Sequence, residues 1–456
     1  MKLWTCFTIF ICKLARWCLR KLGKGGTNVP GTIALKMNPK IIGSLSKDVT
    51  IILVTGTNGK TTITRMIEQC LINAGKSYFT NKSGANMDTG IAAEFVVNST
   101  VTGKCKKDFA LIECDELAFK YVSRYADVKY VVISNIFRDQ LDRYGEITHT
   151  LTGIYEGLKN IPDATVCLNA DCSLSTSLKD RIPNKVLFYG LECPIYKTRV
   201  DEVSDAPYCI KCGTEYSYDY ITYGHLGKYR CPKCGYCRPE TDISVTEIID
   251  STVDSTKVKM RIGENVFDVT VNLPGGYNVY NAAAAAAVGY ALRFDNSVIV
   301  SALENFECGF GRMEKYNLNG TDTRMILVKN PAGANQVLNF LCNIKEPSLF
   351  VVGLNDRYAD GTDISWIWDT DFEKLADLED KLKGVIVTGI RSAEIAMRFK
   401  YAGISTDKIT VINNYEKMLE TVANQDAPTF IMPTYTAMLE IREILSRVYS
   451  YKEFWK

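Results

Sequence analysis

The segment Ile51-Ile52-Leu53-Val54-Thr55-Gly56-Thr57-Asn58-Gly59-Lys60-Thr61-Thr62 constrains this chain more than any other. An unbroken apolar run suits a strand buried on both faces, and such strands belong to parallel sheets covered by helices. The glycine-bearing turn leads into a helix, so backbone N–H groups and the positive helix end converge on one spot. Lys60 adds a point charge there and Thr61 offers a hydroxyl to Mg²⁺. Gly56, Thr57, Asn58, Gly59 and Thr62 complete a cradle for the phosphates of a nucleotide. A glycine turn that merely starts a helix would leave the lysine and both threonines unexplained. The loop is not the standard P-loop, because Val54 stands where the first glycine of the six-residue spacing would be.

Around this loop, short β-rich runs alternate with longer helical segments, the signature of βαβ units. Ile51 to Thr55, Phe109 to Glu113, Val131 to Asn135 and Thr165 to Asn169 read as strands. A Gly-Gly-Tyr-Asn turn after Pro274 opens an alanine-rich helix, Asn281 to Arg293. A second series follows, with strands expected at Met325 to Lys329, Leu349 to Leu354, Val385 to Thr388, Ile409 to Ile412 and Thr429 to Met432. The expected organisation is an N-terminal helix and linker over 1–48, a central α/β ATP-binding domain with a parallel sheet over 49–316, and a C-terminal Rossmann-like α/β domain over 317–456. Residues 192–240 read as an inserted module.

That insertion carries Cys209-Ile210-Lys211-Cys212 and Cys231-Pro232-Lys233-Cys234. Two C-x₂-C knuckles supply the four thiolates of a tetrahedral Zn²⁺ site, and four protein ligands leave no position for water, so the metal is structural. Cys237 falls outside the pattern. The 456 residues contain 16 cysteines and 2 histidines, so histidine-rich metal sites and multi-histidine proton relays are excluded. Scattered cysteines in a long chain point to a reducing cytosol rather than to a disulfide framework. A net charge of +2 gives no reason to expect nucleic acid as a partner.

The N-terminus has a membrane flavour. Trp4, Phe7, Ile9, Phe10 and Ile11 precede Lys13, Arg16, Arg20, Lys21 and Lys24, with Trp17 among them. The apolar part is well short of the roughly 20 residues that span a bilayer. The two readings are a basic amphipathic helix lying on an anionic membrane surface and a helix packed on the protein itself.

Thr55 to Thr62 resembles the ATP loop of the Mur ligase and folylpolyglutamate synthase superfamily, whose members activate a carboxylate as an acyl phosphate for attack by an amine. Glu113-Cys114-Asp115-Glu116 resembles the family's magnesium-binding acidic motif, which implies Glu113 as a magnesium ligand beside Thr61. The segment Asn135 to Gly145 resembles the stretch after the next strand, except that Gln140 replaces the histidine that binds a second magnesium. Gly276-Tyr277-Asn278-Val279-Tyr280-Asn281 resembles the base-contacting turn, implying Asn278 and Asn281 as partners of adenine. Phe310-Gly311-Arg312-Met313-Glu314 resembles the G-R-x-E segment, implying that Arg312 meets the ATP phosphates.

In the last domain, Lys329 to Asn335, the aspartate- and tryptophan-rich stretch Gly353 to Asp369, and Thr434 to Met438 are similar to the MurT family. Its members are Mur-ligase-like subunits of lipid II isoglutaminyl synthase that form a heterodimer with a glutaminase partner called GatD. The resemblance extends from about Gly25 onward and includes the zinc ribbon. It implies ATP-dependent amidation of the D-isoglutamate α-carboxylate of lipid II in peptidoglycan biosynthesis, with ATP, Mg²⁺ and structural Zn²⁺. It also implies a cytoplasmic enzyme at the inner face of the plasma membrane.

The histidine count agrees with an external ammonia source. Glutamine hydrolysis by a cysteine needs an activating histidine, and neither His149 nor His225 sits in a nucleophile motif. In that family an aspartate of the C-terminal domain completes the partner's Cys–His pair; Asp363 and Asp369 are the candidates. Only 54 residues precede the ATP loop, whereas Mur ligases acting on nucleotide-linked precursors carry a uridine-nucleotide-binding domain there. A lipid-anchored substrate would not need it. The alternative is an amino-acid-adding ligase of the same superfamily that acts without a partner. A nucleic-acid-binding zinc-ribbon switch would require a guanine-reading N-K-x-D segment, which the chain lacks.

Overall fold

The computed structural model describes residues 2–21, 28–81, 85–138, 147–195, 204–306 and 313–451. Gln140 and Arg312 lie outside these segments. The strands of the first part are β1 (Thr50–Thr55), β2 (Tyr78–Thr80), β3 (Phe109–Glu113), β4 (Val128–Ile133), β5 (Thr165–Asn169), β6 (Lys185–Leu191), β7 (Ser217–Tyr223), β8 (Leu226–Arg230), β9 (Ile243–Ser251), β10 (Thr256–Ile262) and β11 (Asn265–Val271). Nine of them form one sheet in the order β11-β10-β9-β6-β5-β4-β1-β3-β2, and β7 and β8 make a separate ribbon. From β2 to β9 neighbouring strands are parallel, whereas β9, β10 and β11 pair antiparallel.

β1 lies between β3 and β4, with Ile51, Ile52, Leu53 and Val54 fully buried. This is the arrangement expected of a strand with helices on both sides. The register pairs Val54 with Glu113 and Thr55 with Ile133. The turns after β1, β3 and β4 therefore open at one carboxyl edge, where α/β sheets bind ligands. The helix Gly276–Ala291 begins earlier than expected and lies along β4, β5, β6, β9 and β10. Ala282 to Ala287 are all fully buried, since only small side chains allow a helix so close an approach to the sheet.

The second sheet contains β12 (Glu314–Leu318), β13 (Thr321–Met325), β14 (Ser348–Gly353), β15 (Leu382–Thr388), β16 (Ile409–Val411) and β17 (Thr429–Pro433), in the order β12-β13-β17-β14-β15-β16. It opens at Glu314, slightly upstream of the expected 317. β12 and β13 pair antiparallel, and the remaining neighbours are parallel. The strand expected at Met325 to Lys329 is displaced to β13; beyond it Ile326 and Val328 still donate to Ile431 and Pro433 carbonyls, at 2.8 and 3.0 Å. β4 likewise ends at Ile133, two positions before the expected Asn135, which leaves Asn135 free of the ladder to serve the loop beside it.

The helix Lys2–Lys21 packs on the helices Val29–Met37 and Asp88–Asn98 through Thr5, Thr8, Ile9 and Cys12. Trp4 Nε1 donates to the Met37 carbonyl at 2.8 Å. Among the described residues no helix is long and apolar enough to cross a membrane, and the described cysteines are free of disulfides.

Candidate active site

Gly56 and Gly59 have φ of +115° and +88°, in the region that favours glycine. A Cβ on Gly59 would stand 2.2 Å from Asn281 Oδ1, so the loop rests directly on the helix Gly276–Ala291. Its outer side is fastened to the turn after β4. Thr57 Oγ1 donates to the Phe137 carbonyl at 3.2 Å and accepts from the Phe137 N–H at 3.0 Å. Asn135 Oδ1 accepts from the Asn58 N–H at 3.0 Å, and its Nδ2 donates to the Asn58 carbonyl at 3.2 Å.

Lys60 opens the helix Lys60–Asn73 and is buried. Its Nζ donates to the carbonyls of Gly56 and Thr57 and to both Glu116 oxygens, at 3.1 and 3.3 Å. Glu116 is also buried; its carboxyl is pushed up by that burial and pulled back down by the Lys60 ammonium. The sequence reading missed this partner. The clue was its place in the first turn of the helix Glu116–Tyr125, just past the acidic end of β3.

Glu113 is held by Asn81, whose side chain donates to its carbonyl at 2.7 Å and accepts from its N–H at 2.9 Å. The Glu113 carboxylate, only 7% exposed, has no hydrogen-bond partner among the described residues. A carboxylate on a backbone pinned by Asn81, unengaged beside a phosphate cradle, fits a hard divalent cation, which takes oxygen ligands. Thr61 stands on the first turn of the loop helix and is half-buried. Asn278 and Asn281 are buried in the next wall: Asn281 Nδ2 donates to Asn278 Oδ1 at 3.0 Å, and Asn278 Nδ2 donates to the Pro274 carbonyl at 2.7 Å. Asn281 thus meets the loop at Gly59.

Among the described residues, two side-chain hydrogen bonds join the second domain to the site. Asn330 caps the helix Pro331–Cys342, accepting from Gly333 N–H, and its Nδ2 donates to Asn58 Oδ1 at 3.1 Å. Arg138, bound to Asp205 through its own N–H, places Nη2 2.8 Å from Asp369 Oδ2. This separates the two aspartate candidates. Asp369 is engaged across the domain boundary, whereas Asp363 is half-buried and accepts from the Ser365 N–H at 2.8 Å to start a 3₁₀ turn.

The sulfurs of Cys209, Cys212, Cys231 and Cys234 lie within 4.8 Å of one another. The pairs Cys209–Cys234 and Cys212–Cys231 are 3.6 and 3.5 Å apart. Thiolates about 2.3 Å from a central Zn²⁺ would form a tetrahedron with edges of about 3.8 Å, so the set fits that ion. The Thr214 hydroxyl, followed by its backbone N–H, holds the Cys212 thiol down to about 6. Among the described residues Cys237 is not part of the cluster.

Behind the sulfurs, Tyr229 and Tyr236 reach Thr176 Oγ1 at 2.5 and 2.8 Å and tie the ribbon to the short helix Ser173–Thr176 after β5. The tip of the β7–β8 hairpin covers Phe137: the Tyr223 ring stacks on it at 5.6 Å and the His225 ring lies 4.4 Å away. His225 Nε2 is 3.6 Å from Cys172 Sγ. Burial pushes the imidazole down to about 3 and the Cys172 thiol up, so this inaccessible pair is neutral and is not a nucleophile–base couple.

A parallel sheet with a phosphate loop, a carboxylate at the next strand end and a second α/β domain touching that loop defines an ATP-dependent ligase of the Mur ligase fold. Residues 54–229 match the family described as Mur ligase middle domain. A pseudomurein peptide ligase type C from Methanothermus fervidus shares the fold with a TM-score of 0.67 at 24% identity, over 90% of this chain and 81% of that one. Folylpolyglutamate synthase from Mycobacterium tuberculosis, solved with ADP and AMPPCP, gives 0.62 at 14% identity over 90% and 93%.

The particular family is narrower. Residues 327–438 match MurT ligase C-terminal. The MurT subunit of the glutamine-hydrolysing lipid II isoglutaminyl synthase of Streptococcus pneumoniae is 36% identical over 98% of both chains. That of Staphylococcus aureus is 32% identical over the same shares. The chain belongs to the MurT family.

Proposed function

We infer that this chain is the synthetase subunit of a glutamine-hydrolysing lipid II isoglutaminyl synthase. The substrate is the α-carboxylate of the D-isoglutamyl residue in the lipid II stem peptide. A carboxylate oxygen attacks the γ-phosphorus of ATP, the bond to the β–γ bridging oxygen breaks, and ADP leaves an acyl phosphate. Ammonia then adds to the acyl carbon, loses a proton and expels phosphate, giving D-isoglutamine. The observation that carries this reading is Lys60, buried on its loop carbonyls and on Glu116, in a chain related along nearly its full length to subunits of that synthase.

Each residue then has a task. The loop N–H groups and Lys60 hold the phosphates, while Asn58–Asn330 and Arg138–Asp369 keep the second domain closed on them. Catalysis of this kind rests on positioning and charge neutralisation. Glu113 and Thr61 would hold Mg²⁺, which draws charge from the transferring phosphoryl group. Asn278, Asn281 and Arg312 are assigned to the nucleotide, with Asn281 also supporting Gly59. The four cysteines would hold a structural Zn²⁺ that braces the hairpin.

Ammonia comes from a GatD-like glutaminase docked on the C-terminal domain. Asp363 is the better candidate to complete its Cys–His pair, because Asp369 already pairs with Arg138. The lipid-linked substrate places the reaction at the inner face of the plasma membrane.

The deciding experiment is ADP release with lipid II, comparing glutaminase plus glutamine, ammonium salts, and amino acids. Ammonia-dependent turnover is expected. Amino-acid-dependent turnover that ignores every ammonia source would establish the partner-free ligase instead.

A further inference from the structure

The helix Lys2–Lys21 buries only one side. Leu3, Phe7, Phe10, Leu14 and Trp17 recur at spacings of four and three, the repeat that lines one face of a helix. All five face solvent, from 88% exposed at Leu3 to 45% at Leu14, with Trp4 at 53% beside them. So continuous a stripe of exposed large apolar side chains marks an interaction surface, whereas isolated ones are ordinary. The helix contains no acidic residue, and its last turn carries Arg20 and Lys21, both exposed. Lys21 lies over the Trp17 ring at 4.5 Å.

Its direction is fixed as well. Lys13 Nζ binds the Ser99 carbonyl at the end of the helix Asp88–Asn98, and Arg16 and Arg20 act on Glu94 nearer its start. The basic end therefore points towards the start of that helix, where Asn86 accepts from the Asp115 N–H behind Glu113.

We propose that this face docks on an anionic lipid bilayer, with the aromatic stripe lying in the interface and Arg20 and Lys21 on the headgroups. Apolar burial plus a uniformly basic flank is the chemistry of a helix that lies in the membrane plane, and the wide rings of Phe7, Phe10 and Trp17 suit the headgroup boundary. Attraction to anionic headgroups adds to the apolar term and weakens with salt. A lipid-linked substrate gives such docking a purpose, but the inference rests on the helix face alone. Vesicle binding without amidation would sink only the functional reading above, and amidation without vesicle binding only this one.

The test is co-sedimentation of the full chain with phosphatidylcholine vesicles that contain or lack phosphatidylglycerol. The parent should pellet with the anionic vesicles and less so at high salt. The variant Phe7→Ser/Phe10→Ser/Leu14→Ser should partition roughly a hundredfold more weakly, since three half-exposed apolar side chains lose their burial in lipid. Lys21→Glu, which leaves the apolar packing and the Arg16 and Arg20 contacts with Glu94 untouched, should weaken the preference for anionic vesicles, and its thermal melt should match the parent's. Equal pelleting of the parent and both variants would overturn the proposal. So would a parent that stays in the supernatant while the triple variant only lowers its oligomeric state, since the stripe would then be covered by a second copy.

Discussion

Replacing Lys60 by methionine would strand Glu116. Both side chains are nearly inaccessible, 9% and 4% exposed, and the ammonium is the carboxylate's neutralising partner at 3.1 Å. Removing one member of a buried ion pair costs about 3 to 5 kcal/mol, because a charge remains without compensation. In a domain of this size that is a fall in Tm of about 6 to 10 °C. The fall should depend on pH in a defined sense. Burial already raises the Glu116 carboxyl above its usual value near 4.5, and loss of Lys60 removes the main opposing pull. A carboxyl raised in the folded state contributes most stability below its unfolded value and loses it as pH rises through the folded one. The deficit of Lys60→Met relative to the parent should therefore be full at pH 8 and much smaller at pH 5. Adding Glu116→Gln should restore most of the stability at pH 8 but none of the ADP release. Scanning calorimetry of the three proteins across pH 5 to 8 measures this. A deficit that does not change with pH, or that Glu116→Gln leaves in place, would refute the buried-pair account of the loop.

Gly59→Ala should eliminate ATP binding by calorimetry, because its Cβ meets Asn281 Oδ1 and the φ of +88° costs a further 1 to 2 kcal/mol or so; Asn281→Ala added to it should recover binding only in part. Asp363→Asn should depress glutamine-dependent amidation at least tenfold more than ammonium-dependent amidation, and equal losses would remove Asp363 from the partner's site. Asp369→Asn should raise KM for ATP under both nitrogen sources, since it loosens the Arg138 contact between the domains. A strong chelator should extract one zinc per chain, measured by atomic absorption, and lower the Tm in proportion; retention of full stability in the metal-free chain would contradict a structural site.

The sequence exposed whatever depends on local spacing. The phosphate loop needs glycine, lysine and threonine within a few residues, and the metal knuckles repeat a fixed interval, so both were legible without neighbours. Glu116 was not, because its value comes from meeting Lys60 across 56 positions of chain. Asn81, which pins Glu113 through both backbone atoms, lies in a short edge strand's exit and carries no pattern. The strands β9, β10 and β11 were hidden by their alternation of exposed and buried residues, which differs from the continuous apolar runs of the parallel strands. Asp363 and Asp369 look alike in sequence, and only the fold shows that Asp369 meets Arg138, which arrives from the other domain.

Phe137 binds Thr57 through its backbone and carries the hairpin tip on its ring, and Gly224 at that tip would put a Cβ 2.7 Å from the ring. Nucleotide loop and cysteine ribbon thus share a partition one aromatic ring thick. Close-packed interiors pass displacement on instead of absorbing it. Any change made in the hairpin is therefore also a change to the wall of the nucleotide pocket, and kinetic defects of ribbon variants report on both.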